Sequence, residues 1–175
     1  MIESQAIQDL GRAKNALQDY LIRKLLIPKV YLDAEWNGIP VDVLAIDRAG
    51  VGDVHAVKIV PPQGRFIEDG AVVLIGRLVF DSINGFKSLP SHYRYIAVVS
   101  DDPSTRRFDP ADLVIQESFA EDGVGRVGVL YVDLSENDPS IRVILKPERF
   151  RSSREIIDLA DRYVAEHTAN WEIRE

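Results

Sequence analysis

Apolar and polar positions along this chain recur with two different periods, and the switches between them set an order of elements. From about Ile2 to Leu25, the residues Ile7, Leu10, Ala13 or Lys14, Leu17 and Leu21 follow helical spacing, and Pro28 stops the segment from continuing. An amphipathic helix is expected there, with Asp9 and Asp19 on its solvated face. Three strands follow. KVYLDAEW (Lys29 to Trp36) meets Ile39 to Asp47 across Asn37-Gly38, a dipeptide that favours a tight two-residue hairpin. The turn DRAGVGD then leads into VHAVKIV, which ends at Pro61-Pro62.

The apolar run GAVVLIGRLVFDSINGF has the length of a buried helix, although its Val-rich start also suits a strand. YRYIAVVS (Tyr93 to Ser100) is a short continuous apolar run, suited to a strand covered on both faces. Asp109 opens a helix through Ala120, with Pro110 in its first turn, where the missing N–H costs nothing. VGVLYVDL and IRVILKP read as two more strands around the turn-rich SENDPS. Ser152, Glu155 and the set Ile156, Leu159, Ala160, Tyr163 and Val164 mark a capped amphipathic helix. This order predicts an α/β fold, a central mixed β-sheet flanked by helices, with residues 1–175 forming a single domain.

A two-residue loop at Asn37-Gly38 sets which residues face one another: Trp36 and Ile39, Glu35 and Pro40, Asp33 and Asp42. Alternation then puts Tyr31, Asp33 and Glu35 on one face with Asp42, Leu44 and Ile46. Two carboxylates directly opposite repel, so solvent exposure, a neighbouring cation or a metal ion should compensate. Aligning Asp47 with Asp53 places Lys58 opposite Asp42 and Ala56 opposite Leu44. That register gathers Asp33, Asp42 and Lys58 on one face with Glu35 nearby, or leaves Lys58 simply pairing Asp42 at the end of the sheet.

Composition narrows the function classes. The chain has 175 residues, no cysteine and a net charge of −7, from 21 basic and 28 acidic residues. The absence of cysteine excludes disulfides and thiolate metal sites. With only three histidines, His55, His92 and His167, a zinc site is not indicated. The acidic balance argues against a protein that works mainly by neutralising phosphates. Basic clusters at Arg23, Lys24 and Lys29, at Arg106 and Arg107, and at Arg149, Arg151 and Arg154 read as solvated helix ends and loops, or as a local basic face. The start MIESQAIQDLGRAK lacks a signal-peptide core, and no apolar run approaches the ~20 residues of a membrane helix. A cytoplasmic protein without a membrane partner is expected.

The stretch GIPVDVLAID…HAVKIV resembles the core of the PD-(D/E)xK nuclease superfamily, the restriction-endonuclease-like fold. The resemblance covers roughly the first hundred residues and implies an α/β/α sandwich. In that family an Asp and a second acid bind magnesium while a Lys helps activate the attacking water. Carried over by motif, Asp42 would be the metal-binding Asp and Lys58 the water-activating Lys, with Val57 offering its backbone carbonyl to Mg2+. The acid falls on Ala56, whose methyl cannot ligate, and Val41 stands where the family name has Pro. Asp33 and Glu35 are the favoured replacement acids, with Glu68 or Asp69 as further candidates. His55 should point to the face opposite Ala56.

The resemblance implies one of two functions. The first is a catalytically impaired or inactive domain acting through protein or nucleic-acid interaction, a homodimer included. The second is an active Mg-dependent DNA or RNA nuclease with a relocated acid. No P-loop, dinucleotide fingerprint, zincin or nucleophile-elbow motif supports a competing enzyme class.

Overall fold

The computed structural model describes residues 2–47, 52–60, 86, 89–100, 127–150 and 153–172. Helix α1 (Ile2–Arg23) leads into strands β1 (Lys29–Trp36), β2 (Ile39–Ile46) and β3 (Val54–Val60). Strands β4 (Tyr93–Ser100), β5 (Gly128–Asp133) and β6 (Ser140–Leu145) follow, then helix α2 (Arg154–Glu172). The strands form one six-stranded sheet in the order β1-β2-β3-β4-β5-β6. The first three are an antiparallel meander, β3–β4 and β4–β5 are parallel, and β6 returns antiparallel. This is an α/β fold with a mixed sheet and, among the described residues, one helix on each face. The helices expected over 70–86 and 109–120 lie outside the described residues apart from Phe86, which is helical and buried. No helix among the described residues is long and apolar enough to cross a membrane.

Two cores sandwich the sheet. Ala13, Leu17 and Leu21 of α1 pack on Val43, Ala45, Val57, Ile59, Tyr95 and Leu130. Ile156, Ala160 and Val164 of α2 pack on Leu44, Ile46, Ala56, Ile96 and Val129 from the other side. Each fully buried leucine in such a layer contributes about 2 kcal/mol. The interior strands β3 and β5 are buried almost throughout, His55 of β3 and Asp133 of β5 included. The helix pattern misplaces two residues. Ile7 is exposed, whereas Asp9 is buried against the Gln5 amide (3.0 Å) and beside Arg12 (3.9 Å). Arg12 also donates to the Leu134 and Glu136 carbonyls, which ties α1 to the β5–β6 turn and draws its Asp9 side inward.

The cap of α2 is shifted by one residue from the expectation: Ile156 N–H donates to Ser153 Oγ (3.3 Å). The Asn37-Gly38 turn takes positive φ at both residues (52° and 76°), as a type I′ hairpin requires. At Gly128 a side chain is excluded, because an added Cβ would lie 2.8 Å from Pro147 Cδ. The absence of a side chain there lets Pro147, after β6, approach the β5 backbone closely.

Candidate functional site

The β1–β2 register agrees with the hairpin geometry, with Glu35 opposite Pro40 and Trp36 opposite Ile39. The β2–β3 register places Ala56 opposite Leu44, and the Asp47 N–H donates to the Asp53 carbonyl (2.8 Å). Alternation nevertheless breaks at the Asp33–Asp42 level. Tyr31 packs toward α2 and Leu32 toward α1, yet Ala34 and Trp36 both pack toward α2 again. On β2, Leu44 and Ile46 face α2, Val43 and Ala45 face α1, and Val41 returns to the α2 side. Each strand therefore carries one extra residue, Asp33 on β1 and Asp42 on β2, and its phase slips there.

The cause is local. Asp33 has φ +51°, a left-handed conformation that a short polar side chain tolerates best among non-glycine residues. The ladder pairs Leu32 with Val43 and Ala34 with Val41 but skips the two aspartates. Their repulsion is relieved by two of the expected means. Asp33 is 68% exposed, and its Oδ1 accepts a hydrogen bond from Lys14 Nζ of α1 (2.5 Å). Asp33 thus sides with α1, and the shared face expected for Tyr31, Asp33, Glu35, Asp42, Leu44 and Ile46 does not form.

Asp42 is half-buried, and its Oδ2 accepts the Ile59 N–H at 2.7 Å. The β2–β3 ladder ends at Val43 and Val57, two residues before Ile59. The carboxylate therefore supplies the acceptor that β2 no longer offers, a charged hydrogen bond worth about 2 kcal/mol. Lys58 is half-buried beside Ile96 of β4, and among the described residues no ion pair joins it to Asp42. Val57 is fully buried between Val43 and Tyr95. Ala56 is 0% exposed within the α2-side core. Glu35 is exposed near the hairpin tip. Among the described residues, no three His, Asp or Glu side chains group as a metal site would need. Glu68 and Asp69 lie outside the described residues.

At the opposite end of β3 stands a denser polar cluster that sequence reasoning left as separate solvated or core residues. Arg149 grips Asp53 through Nη2 (2.6 Å) and Nε (3.1 Å). His92, fully buried, accepts the Val54 N–H on Nδ1 (2.9 Å), so its proton resides on Nε2. Its backbone bonds Val54 O (3.0 Å) and Phe150 N (2.7 Å). His55 does face away from Ala56: it stacks on Tyr93 (centroids 4.6 Å) and meets the Tyr95 hydroxyl (3.3 Å). Arg94 lies buried with its guanidinium 4.7 Å from the Phe150 ring centroid.

Burial pushes His55 down to about 4, against the opposing pull of Asp53 and Asp47, and lowers His92 as well. Burial would raise the Asp53 carboxyl, but the hydrogen bonds and charge of Arg149, with the two imidazoles, outweigh it and hold it below the usual value. The cluster keeps two neutral imidazoles beside a matched ion pair. It joins the β2–β3 turn, the entries to β3 and β4, and the segment after β6, and so works as a clasp. The histidines at 55 and 92 and the arginine at 149 are too far apart in sequence for spacing to link them.

No family model matches the chain, and no curated protein matches it in sequence. Among solved structures it is similar to the SPO1766 protein of unknown function from Silicibacter pomeroyi, with a TM-score of 0.53 and 15% identity. That match covers 93% of this chain and 86% of the other. At such low identity the likeness is one of fold alone.

Proposed function

We propose that this chain is a restriction-endonuclease-like domain whose metal-dependent site does not assemble, and that it acts by holding a protein or nucleic-acid partner. The observation that carries this reading is Ala56, closed into the α2-side core opposite Leu44 where the family's second acid would stand. Asp42 supports it by spending one carboxylate oxygen on the Ile59 N–H, and Asp33 by pairing with Lys14. Magnesium takes hard oxygen ligands in near-octahedral geometry, commonly from one or two carboxylates with water and phosphate. One capped aspartate without a second acid is a poor fit to that ion.

The test is thermal unfolding with and without millimolar Mg2+ or Mn2+, in the wild type and in Asp42→Ala. Any ion that binds only the folded state must raise its stability. No metal-dependent shift is expected in either protein, and Asp42→Ala should melt lower whether or not metal is present. A shift present in the wild type and lost in the variant would overturn the reading. Cleavage of DNA or RNA with Mn2+, lost in both Asp42→Ala and Lys58→Ala, would replace it with the active nuclease using Asp33 or Glu35.

A further inference from the structure

The chain passes from α1 to β1 through a corner that presents apolar side chains to water. Ile27 N–H closes the corner by donating to the Leu21 carbonyl (3.1 Å), and both residues are buried in the α1-side core. Between them Leu26 takes φ +57°, the left-handed conformation for which a helix end ordinarily uses glycine. Leu26 is 77% exposed, and Ile22 and Leu25, three positions apart on the last turn, are 38% and 37% exposed. Single exposed leucines are ordinary on a protein surface. Three large apolar side chains within five residues, one in a backbone conformation that disfavours it, are not accounted for by packing within the chain.

The same corner is basic. Arg23 and Lys24, both exposed, lie among the three apolar residues, and half-buried Lys29 follows. Among the described residues no carboxylate pairs with any of these cations. The negative end of the helix dipole accounts for cations here but not for exposed leucines. The combination fits a surface that offers apolar side chains and carboxylates together. Nucleic-acid phosphates would use the cations and leave the leucines in water. An anionic lipid surface meets the field of the whole chain, whose net charge of −7 opposes it. A short segment senses only charges within a Debye length, about 8 Å. A second copy laid corner to corner would oppose like charges.

We propose that the Ile22–Lys29 corner docks an acidic amphipathic segment of a partner protein. Its apolar side chains cover Ile22, Leu25 and Leu26, and its carboxylates meet Arg23, Lys24 and Lys29. The proposal rests on the reading of this chain as a partner-holding domain and names the chemistry of the partner. The corner is preformed, since buried Leu21 and Ile27 hold it from within, and little ordering is lost on binding.

The test is fluorescence anisotropy of the full chain with a labelled helical peptide of about sixteen residues, Leu on one face and Glu on its flanks. One companion peptide replaces Glu by Lys, and another has the same composition with its Leu residues scattered. The Glu–Leu peptide should bind, and both companions should bind at least about tenfold more weakly. Leu26→Gly should lose about tenfold in affinity while its melting temperature rises by about 2 °C, because glycine relieves the backbone strain. Arg23→Gln with Lys24→Gln should lose about fivefold. Two controls should bind as the wild type does: Ile7→Ala, exposed toward the other end of α1, and Arg154→Gln with Arg162→Gln, exposed on α2.

Equal losses in the two charge doubles would reduce the effect to net charge and overturn the proposal. So would equal binding of the scattered peptide, no binding by the Glu–Leu peptide, or a lower melting temperature in Leu26→Gly, which would make Leu26 a packing residue. Phosphatidylserine vesicles and sedimentation cover the other occupants: vesicle binding or a dimer, lost in Leu26→Gly without peptide binding, would assign the corner to lipid or to a second copy instead. The loss of catalysis is judged separately by metal-dependent melting at Asp42, which none of these variants touches, so failure of one reading is distinguishable from failure of the other.

Discussion

The two ends of β3 handle polar residues in opposite ways. At the Lys58 end, Asp42 and Asp33 each serve a single neighbour, one a backbone N–H and the other a lysine, and water reaches both. At the Val54 end, Arg149 pairs with Asp53 near the surface, while His55 and His92 are buried beneath them against Tyr93, Tyr95 and the Val54 N–H. The first set has the residue types of a nuclease motif, the second has the connectivity of a structural clasp. Residue type alone does not assign a role; the partner and its burial do.

The largest effect should come from forcing the motif to completion. Ala56→Asp restores an acid two residues before Lys58 but places a carboxylate in an apolar layer, at a cost of about 4 kcal/mol or more. Denaturant melts should show a destabilised or unfolded chain, and a folded, metal-binding variant would erase the contrast between the two ends. His92→Ala comes next. It strands the Val54 N–H and opens a cavity at a fully buried site, so unfolding should become easier by about 3 kcal/mol.

Acid should unfasten the clasp. The folded value of His55, about 4, lies below its ordinary 6.5, so between these pH values the unfolded chain takes a proton that the folded chain refuses. Stability from neutral His55 is therefore complete above about pH 6.5 and is lost as pH falls toward 4, on the order of 3 kcal/mol in all. Asp53, with its lowered value, adds a loss of the same sign at still lower pH. Melts at about pH 7 and about pH 4.5 should show the drop in the wild type and a smaller one in His55→Phe, which keeps a stacking ring without the titration.

The smallest effects separate Asp42 from Lys58. Asp42→Ala removes the acceptor of the Ile59 N–H and should cost about 2 kcal/mol, whereas Lys58→Ala should stay within about 0.5 kcal/mol. Equal costs, read by denaturant midpoint, would mean that the two residues act as a unit after all.

Much of the scaffold was legible from sequence because its signals are local. Asn37-Gly38 set the first hairpin, the Asp47–Asp53 alignment set the second, and the apolar run of β4 announced a strand covered on both faces. The site was less legible, for two physical reasons. Strict alternation cannot anticipate a left-handed aspartate that resets which face each later residue takes. A clasp built from residues 53, 55, 92 and 149 depends on parallel pairing and on the return of the chain after β6, which no spacing encodes. Asp9 was misjudged for a similar reason, since its burial accompanies the reach of Arg12 to the distant Leu134 and Glu136 carbonyls.

The slipped hairpin has a consequence for how this chain can be edited. Asp33 and Asp42 sit at the same level of an antiparallel pair, and each throws its strand out of phase by one. Removing both would let Leu32–Val43 and Ala34–Val41 follow one another directly, and every apolar residue of the two strands would keep its present face. Removing either alone would turn one strand's tip inside out against its partner. The two aspartates thus form a matched insertion, dispensable to packing as a pair and indispensable singly.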